Sequence, residues 1–321
     1  MPASTTKVIS IANAAGTSKQ FAPEVLSSDV ATDAIYRSLL NVDWGQVPHN
    51  KFLLARTLRD GELYRGGVWG PRSVNWQTLS RVNTASSAFA SYGAEPIRDD
   101  EETVLNGFLL NPDGAPFWLQ QTRTNATGGT VKRRIRARLE DFKAWKWSPD
   151  SIDDGMVGTH AGPVLVKSLS WRCLFPWLVS YDTDASIVTS TGNTLDNTNR
   201  TVTLANNGDI PCGLKITING TSGTTGVTIC NGYNTSSYAT PNNSVAISSL
   251  SGAANPFVID WYGSDPESAT ATRSGTDYTT SIAAGSLIQL AKGNNTINFA
   301  TYSVVTSWTI DFAVYPLWGS P

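Results

Sequence analysis

The stretch GSLIQLAKGNNTINFATYSVVTSWTIDFAVYPLW, from Gly285 to Trp318, decides the fold that this sequence predicts. Within it, Val304–Tyr315 alternates between apolar and polar residues. The apolar face carries Trp308, Ile310, Phe312 and Val314, and the other, more polar face carries Thr309, Asp311 and Ala313, with Tyr315 at its end. This alternation is typical of an antiparallel strand with one buried face. Pro316 has no N–H for a sheet, so we predict that the strand ends there.

More strands are predicted before this one. Ser286–Leu290 and Thr296–Tyr302 flank a turn at Lys292–Asn295. Upstream segments, separated by Gly, Asn and Ser, are Thr201–Ala205, Gly213–Asn219, Gly226–Cys230, Ser244–Leu250 and Phe257–Trp261. Short strands about ten residues apart with turn residues between them predict an all-β sandwich, here of about eight strands.

Charge divides the 321-residue chain into two parts. Residues 182–321 contain nine acidic and four basic residues, whereas residues 1–181 contain 17 acidic and 20 basic residues. We therefore predict two domains, residues 1–180 and 181–321. The net charge of −2 gives no electrostatic reason to expect binding to nucleic acid or to an anionic membrane.

Cysteine usage and hydropathy indicate where the protein is made. Cys173, Cys212 and Cys230 are odd in number and fit no metal-ligand spacing, so we predict reduced thiols in a cytoplasmic protein. The N-terminus lacks the apolar core of a secretion signal. No apolar run reaches the roughly 18 residues of a membrane helix.

The first domain is predicted to be mainly β, with one or two helices. Helical patterns cover Val30–Leu40 and Asn75–Tyr92, and the small, polar residues 1–23 predict an extended or loose arm. Predicted strands are Lys51–Leu58, Glu62–Trp69, Val104–Leu110, Ala115–Thr122, Val131–Phe142 and Val164–Leu169. Turns are predicted at Arg59–Gly61, Asn111–Gly114 and Asn125–Gly129.

A search for catalytic motifs finds little. His49 and His160 have no partnered motif, and no nucleophile elbow, phosphate loop or zinc signature is present. The acidic runs Asp153–Asp154 and Asp99–Glu102 could supply paired carboxylates for glycoside hydrolysis. We expect a protein that is not an enzyme and that holds no cofactor or metal.

The strand Val131–Leu139 is the sharpest local feature. One face is basic and consists of Lys132, Arg134, Arg136 and Arg138. The acidic run that could oppose it on a neighbouring subunit consists of Asp99, Asp100, Glu101 and Glu102. Three interpretations stay open: a subunit interface, a nucleic-acid contact, and a solvated strand face. Like charges on one strand face repel, which favours an acidic partner.

Aromatic residues add to this picture. Eight of the eleven tryptophans precede residue 180, and tryptophan together with arginine is typical of interface centres. In the second domain, Trp261 and Tyr262 could stack on a sugar, but the sequence favours packing in the core.

The order of several short motifs is similar to a known family. Phe175-Pro176-Trp177 ends the first domain, and Asn207-Gly208-Asp209-Ile210-Pro211 leads into Lys215-Ile216-Thr217-Ile218-Asn219-Gly220. The chain closes with Lys292–Ile297 and with Tyr315-Pro316-Leu317-Trp318. This order resembles the distal tail proteins of phages with long, non-contractile tails.

The resemblance implies a structural protein of the virion, located at the tail tip and assembled in the host cytoplasm. Six subunits would form a ring through their first domains, between the tail tube and a hub or fibre, with genome DNA passing through it. The second domain would be a galectin-like β-sandwich that presents attachment parts. Neither histidine lies in that domain, so the galactose-binding pattern of galectins is missing. The alternatives are a carbohydrate-binding tail adhesin and a polysaccharide hydrolase.

Overall fold

The chain is mainly β, as predicted, and its elements form two units. The computed structural model describes residues 7–13, 18–21, 35–55, 62–83, 85–109, 116–125, 127–142, 146–148, 164–220, 223–232, 244–251, 256–261, 263–265, 269–278, 282–285, 288–305 and 307–319. The first unit ends between Pro176 and Trp177, close to the division that the composition predicts. The three residues Val131–Arg133 belong to the second unit, which the composition does not predict.

The first unit begins with strands and has two consecutive helices in its middle. Its elements are β1 (Lys7–Ala12), β2 (Ser18–Phe21), β3 (Ile35–Asp43), β4 (His49–Ala55), β5 (Glu62–Trp69), β6 (Arg72–Val82), α1 (Ser87–Tyr92), α2 (Ala94–Leu109), β7 (Phe117–Thr124), β8 (Thr130–Phe142), β9 (Lys146–Ser148) and β10 (Val164–Cys173). The main sheet has the order β2-β1-β7-β8-β10-β6-β3, and β9 pairs with β10. Strands β4 and β5 pair with each other in a two-stranded sheet, which confirms the predicted pairing, while the predicted turn at residues 59–61 lies outside the described residues.

One face of this sheet carries the core of the first unit. The buried residues include Ile11 on β1, Leu119 on β7, Ile135 on β8 and Trp76 on β6. Aromatic rings meet edge to face, with centroids 5.4 Å apart for Phe117 and Trp171. Edge-to-face pairs stabilise a core beyond the area that they bury.

Helix α2 covers the same face of the sheet. The ring of Phe108 lies 5.7 Å from the ring of Phe117, and Leu105 and Leu109 are buried beside it. Helix α2 therefore does not cover the opposite face of the sheet.

Several predictions for this unit are wrong. Ile35–Leu40 lies in strand β3 and not in a helix, because a spacing of four residues between Ile35 and Leu39 suits both a helix and one face of a strand. Residues 30–34 lie outside the described residues. Residues 75–82 belong to β6, and only Ser87–Tyr92 is helical, with the Ser86 hydroxyl capping it.

Two more segments also differ from prediction. The predicted strand from Val104 belongs to helix α2, where Leu105 and Leu109 face the core one turn apart while Val104 is 44% exposed. Residues 7–12 and 18–21 are not a loose arm, because β1 pairs with both β2 and β7 and buries Ile9. The predicted turn at residues 111–114 lies outside the described residues.

The second unit contains two antiparallel sheets. Its elements are β11 (Leu178–Ser180), β12 (Val188–Thr194), β13 (Arg200–Asn206), β14 (Leu214–Asn219), β15 (Thr224–Asn231), β16 (Ser244–Ser251), β17 (Phe257–Trp261), β18 (Ala269–Arg273), β19 (Thr276–Asp277), β20 (Ile282–Gly285), β21 (Gly293–Thr301), β22 (Thr309–Val314) and β23 (Leu317–Trp318). One sheet has the order β12-β22-β14-β17-β18-β19 and the other β13-β21-β15-β16-β20. Phe312 and Phe299 join the two sheets, with ring centroids 5.4 Å apart. This arrangement is a β-sandwich with more strands than the eight predicted.

For the closing stretch, Gly285 to Trp318, the predicted buried face is confirmed, but the predicted strand bounds are wrong. Trp308, Ile310, Phe312 and Val314 are all buried, as their alternation predicts. The last long strand is shorter than predicted, since only Thr309–Val314 pairs in the sheet. The strand predicted at Ser286–Leu290 is not found over its described residues 288–290, where Leu290 makes an isolated bridge to Cys212. Residues 286–287 are outside the described residues.

Two glycines of the short motifs make room for this closing stretch. A Cβ on Gly220 would lie 2.5 Å from Cε2 of Trp308, and a Cβ on Gly208 would lie 2.5 Å from the Leu317 carbonyl oxygen. Real Cβ atoms do not approach other atoms so closely, so a side chain at either position would displace the last strands. The motif glycines thus have a packing role in the sandwich.

Thiol titration can test the environment of the cysteines. Cys173 and Cys212 are buried, Cys230 is half-buried, and all three are free thiols. Burial raises the pKa of the Cys212 thiol to about 12, so at pH 8 only about one molecule in 10,000 carries the reactive thiolate there. We expect iodoacetamide at pH 8 to leave Cys212 unmodified in the folded chain and to modify it after unfolding in guanidinium. Equal labelling in both states, read by peptide mass spectrometry, would contradict this burial.

Candidate assembly interface

Strand β8 turns Arg134, Arg136 and Arg138 away from the core of the first unit. Ile135 and Ala137 are buried, whereas Arg134 and Arg136 are half-buried on the other side of the strand. Successive side chains of a strand point to opposite faces. The predicted alternation is thus confirmed, and the arginines lie on the sheet face opposite helix α2.

A tryptophan on the neighbouring strand organises these arginines. The Arg134 guanidinium lies 4.0 Å from the centre of the Trp118 ring, and the Arg136 guanidinium lies 5.9 Å from it. A guanidinium over an indole face is stabilised by the ring quadrupole, by about 0.5–1 kcal/mol when exposed and more when desolvated. Trp118 therefore offsets part of the repulsion between the two arginines and fixes their positions.

A fourth arginine extends this surface onto strand β10. Arg172 is opposite Arg138 in the register of β8 and β10, so both lie on the same sheet face, and both are exposed. Arg172 also donates to Glu140 at 3.2 Å, in an ion pair that is exposed on both sides. We call Trp118, Arg134, Arg136, Arg138 and Arg172 the basic face.

Lys132 does not share this environment. It belongs to the second unit, where its ammonium pairs with Asp182 and its backbone N–H donates to the buried Asp184. Next to it, the Arg133 guanidinium lies 4.0 Å from the Trp318 ring, and the Trp318 indole N–H donates to the Ser180 hydroxyl at 2.9 Å. The Pro-x-Trp end of the chain thus helps to hold the first residues of β8 within the second unit.

The structure also divides the acidic run on helix α2. Glu101 is buried and accepts two hydrogen bonds from Arg37, from Nε at 2.8 Å and from Nη2 at 2.6 Å. The Ser80 hydroxyl donates to the same carboxylate at 3.0 Å. Glu101 therefore fastens the helix to strands β3 and β6 and does not belong to an exposed acidic surface. Asp99 and Asp100 are exposed, and Glu102 is half-buried.

Asp99 and Asp100 lie on the outer side of α2, away from the sheet. Thr103 and Val104 follow them one turn later and are exposed on the same side. We call these four residues the acidic side of α2. The first unit therefore has exposed acids on one side and exposed arginines on the other, with the sheet between them.

The remaining candidate residues do not form a site in the described part of the chain. Trp261 is the last residue of strand β17, while Tyr262, His160 and Asp153–Asp154 lie outside the described residues. Among the residues with described positions, no group of three His, Cys, Asp or Glu side chains could hold a metal ion. Within the same residues, no helix is both long and apolar enough to cross a membrane.

Two residues of the basic face, Trp118 and Arg172, were not singled out from the sequence. Trp118 could have been found from the predicted hairpin tip, where Asn125 accepts the Gly129 N–H and donates to the Gly129 carbonyl. Counting equally outward along both strands from this tip brings Trp118 level with Arg136. No comparable local signal places Arg172, because its register depends on pairing between strands far apart in sequence.

Comparisons with known proteins support the fold. No family model matches the sequence, and no curated protein matches it either. Among solved structures, the chain is similar to phage SPP1 Dit (gp 19.1), a paradigm of the hub adsorption apparatus in phages that infect Gram-positive bacteria, with 14% identity, a TM-score of 0.53 and coverage of 96% of this chain and 98% of that chain. Two structures of the phage p2 baseplate in its activated conformation, with strontium and with calcium, match with 8% identity each and TM-scores of 0.49 and 0.47. They cover 96% and 97% of this chain and 97% and 98% of theirs. The chain therefore shares its fold, over nearly its whole length, with SPP1 Dit.

Proposed function

We propose that the protein is a structural component of a phage tail tip. In this proposal six copies form a ring that joins the tail tube to a distal hub or fibre, and the second unit is a galectin-like sandwich that presents attachment parts. The protein has no catalytic role, resides in the virion and is assembled in the host cytoplasm. Its partners are other copies of itself, the tail tube protein and the hub or fibre protein.

One observation carries this proposal. The fold match to SPP1 Dit extends across both units, with coverage of 96% of this chain and 98% of that chain. A likeness limited to the sandwich would say little about function, because sandwiches serve many functions. The motif order in the sequence supports the same interpretation independently of the fold.

The oligomeric state of the purified full-length chain tests the proposal. We expect mass photometry and sedimentation to find an assembly of six subunits, and negative-stain images to show closed six-fold rings. A chain that stays monomeric at about 100 μM, both alone and with purified tail tube protein, would overturn the ring. Rings of another symmetry would contradict the hexamer and leave a ring-forming role.

A further inference from the structure

We infer that the basic face of one copy binds the acidic side of helix α2 on the next copy. This inference rests on the proposed function, since it names the contact by which copies of the first unit associate. Its chemistry is a charge-complementary protein contact between two different surfaces of the same chain.

The first step is that the two surfaces lie on opposite sides of the sheet. Helix α2 packs on the face that carries Phe117 and Ser80, through Phe108 and Glu101 respectively. Arg138 lies on the other face, since the adjacent Ala137 is buried together with Ile135, which is two residues earlier on the same side of β8. The exposed acids and the arginines of one unit therefore point in opposite directions.

The second step concerns symmetry. A contact between two different patches of identical chains is heterologous, and repeated contacts of this kind give a closed ring or an open filament. In a two-fold dimer both patches would have to lie within one interface, so that each basic patch meets an acidic patch, and patches on opposite sides of the unit cannot do this. The polarity of the first unit therefore favours head-to-tail assembly.

The third step is that each surface has an apolar side chain among its charged residues: the flat Trp118 ring on the basic face and Val104 on the acidic side of α2. On the basic face, Trp118 lies beneath the guanidinium groups of Arg134 and Arg136. On the acidic side of α2, Val104 is 44% exposed beside Asp100. Arginine and tryptophan are the residue types that concentrate binding energy at the centres of interfaces, and complementary charges fix the register.

A nucleic acid is the rival partner for the basic face. The exposed Glu140 carboxylate, which accepts from Arg172, lies next to these arginines and would repel phosphates. The whole chain also has a net charge of −2, which adds no general attraction for a polyanion. A second copy, which supplies matching carboxylates, fits the surface better.

Charge reversal on each surface tests the contact. In one variant Arg136→Glu is combined with Arg138→Glu, and in the other Asp99→Arg is combined with Asp100→Arg. We expect each variant alone to associate at least about 10-fold more weakly than the wild type, because like charges then face each other. A control with Arg273→Glu and Lys292→Glu in the second unit changes the net charge by the same amount as the arginine variant and should assemble like the wild type.

Mixing the two variants gives the decisive result. The sheet face of the arginine variant, which is now acidic, then meets helix α2 of the aspartate variant, which is now basic. At the next contact in the mixture, the natural arginines of the aspartate variant meet the natural aspartates of the arginine variant. We therefore expect an equimolar mixture to recover wild-type association, with strict alternation of the two variants visible by native mass spectrometry. Thermal unfolding of each variant checks that both are folded.

Three outcomes would overturn the inference. If folded variants assemble like the wild type, rings form through another surface and the proposed function stands without this contact. If the variants are folded, fail to assemble alone and also fail as a mixture, the two surfaces do not meet. If the arginine variant assembles normally but loses binding to a labelled DNA duplex, the basic face is a nucleic-acid contact.

Discussion

Replacing Phe312 with alanine should destabilise the second unit by about 3–5 kcal/mol. The side chain is buried on β22, and its ring lies 5.4 Å from the ring of Phe299 on the opposite sheet. Truncation removes the transfer free energy of the ring and leaves a cavity between two sheets that cannot close around it. For a unit of this size we expect a drop in the unfolding midpoint of roughly 10 °C.

The measurement must report on the second unit alone, because two units need not unfold together. Hydrogen exchange read by mass spectrometry on peptides from β14 and β22 provides that resolution. Val304→Ala is the matched control: this side chain is 76% exposed, so its truncation should change stability by less than about 0.5 kcal/mol. If Phe312→Ala has as small an effect as the control, the two sheets do not pack through this residue.

The core that Phe312 belongs to was predictable because its signal is local. Trp308, Ile310 and Val314 alternate with polar residues over a whole strand, and period two has only one structural solution with a buried face. Turn residues between the short upstream strands act in the same local way, and those strands are where the sequence predicts them. The short strands β18 and β19 lack such a signal because each has only a few residues and weak alternation.

Helices and strands in the first unit were harder to tell apart. Ile35 and Leu39 are four residues apart, a spacing that serves both a helix face and a strand face, and pairing with β6 decides between them. Leu105 and Leu109 have the same spacing, but there the outcome is helix α2. Tertiary contacts distant in sequence thus settle what the local pattern leaves open.

The sequence predicts the kind of contact at the candidate interface, basic residues against acidic ones, but not which charged residues belong to it. The alternation of arginines on β8 follows from the sequence, and so does the idea of an acidic partner. Whether a charged residue is exposed does not follow from the sequence, and Lys132 and Glu101 turn out to have partners within the chain. A run of acids gives no sign of which member faces inward, because that depends on where Arg37 and Ser80 lie.

Glu101→Ala should destabilise the first unit by about 2–3 kcal/mol. The change leaves the Arg37 guanidinium without its two charge-assisted hydrogen bonds and leaves the Ser80 hydroxyl without its acceptor. Removing one partner of a buried pair typically costs about 3–5 kcal/mol. The Arg37 side chain is 26% exposed and can partly regain water, which places the expected cost at or below the lower end of that range.

A comparison with Asp100→Ala tests whether Glu101 belongs to the acidic side of α2 or has a structural role. Asp100 is next to Glu101 in sequence but exposed, so its removal should change stability by no more than about 0.5 kcal/mol while weakening association between copies. Glu101→Ala should give the reverse pattern. Hydrogen exchange of peptides from β3, β6 and α2 should show unfolding at a lower denaturant concentration. Association between copies should weaken only to the extent that the first unit is unfolded. Equal stability of the two variants would mean that Glu101 does not fasten the helix, and the residue would return to the interface. The two carboxylates differ in burial and not in chemistry. A loss of stability for Glu101→Ala together with a loss of association for Asp100→Ala would therefore show that Glu101 has a structural role and that Asp100 is available to bind a second copy.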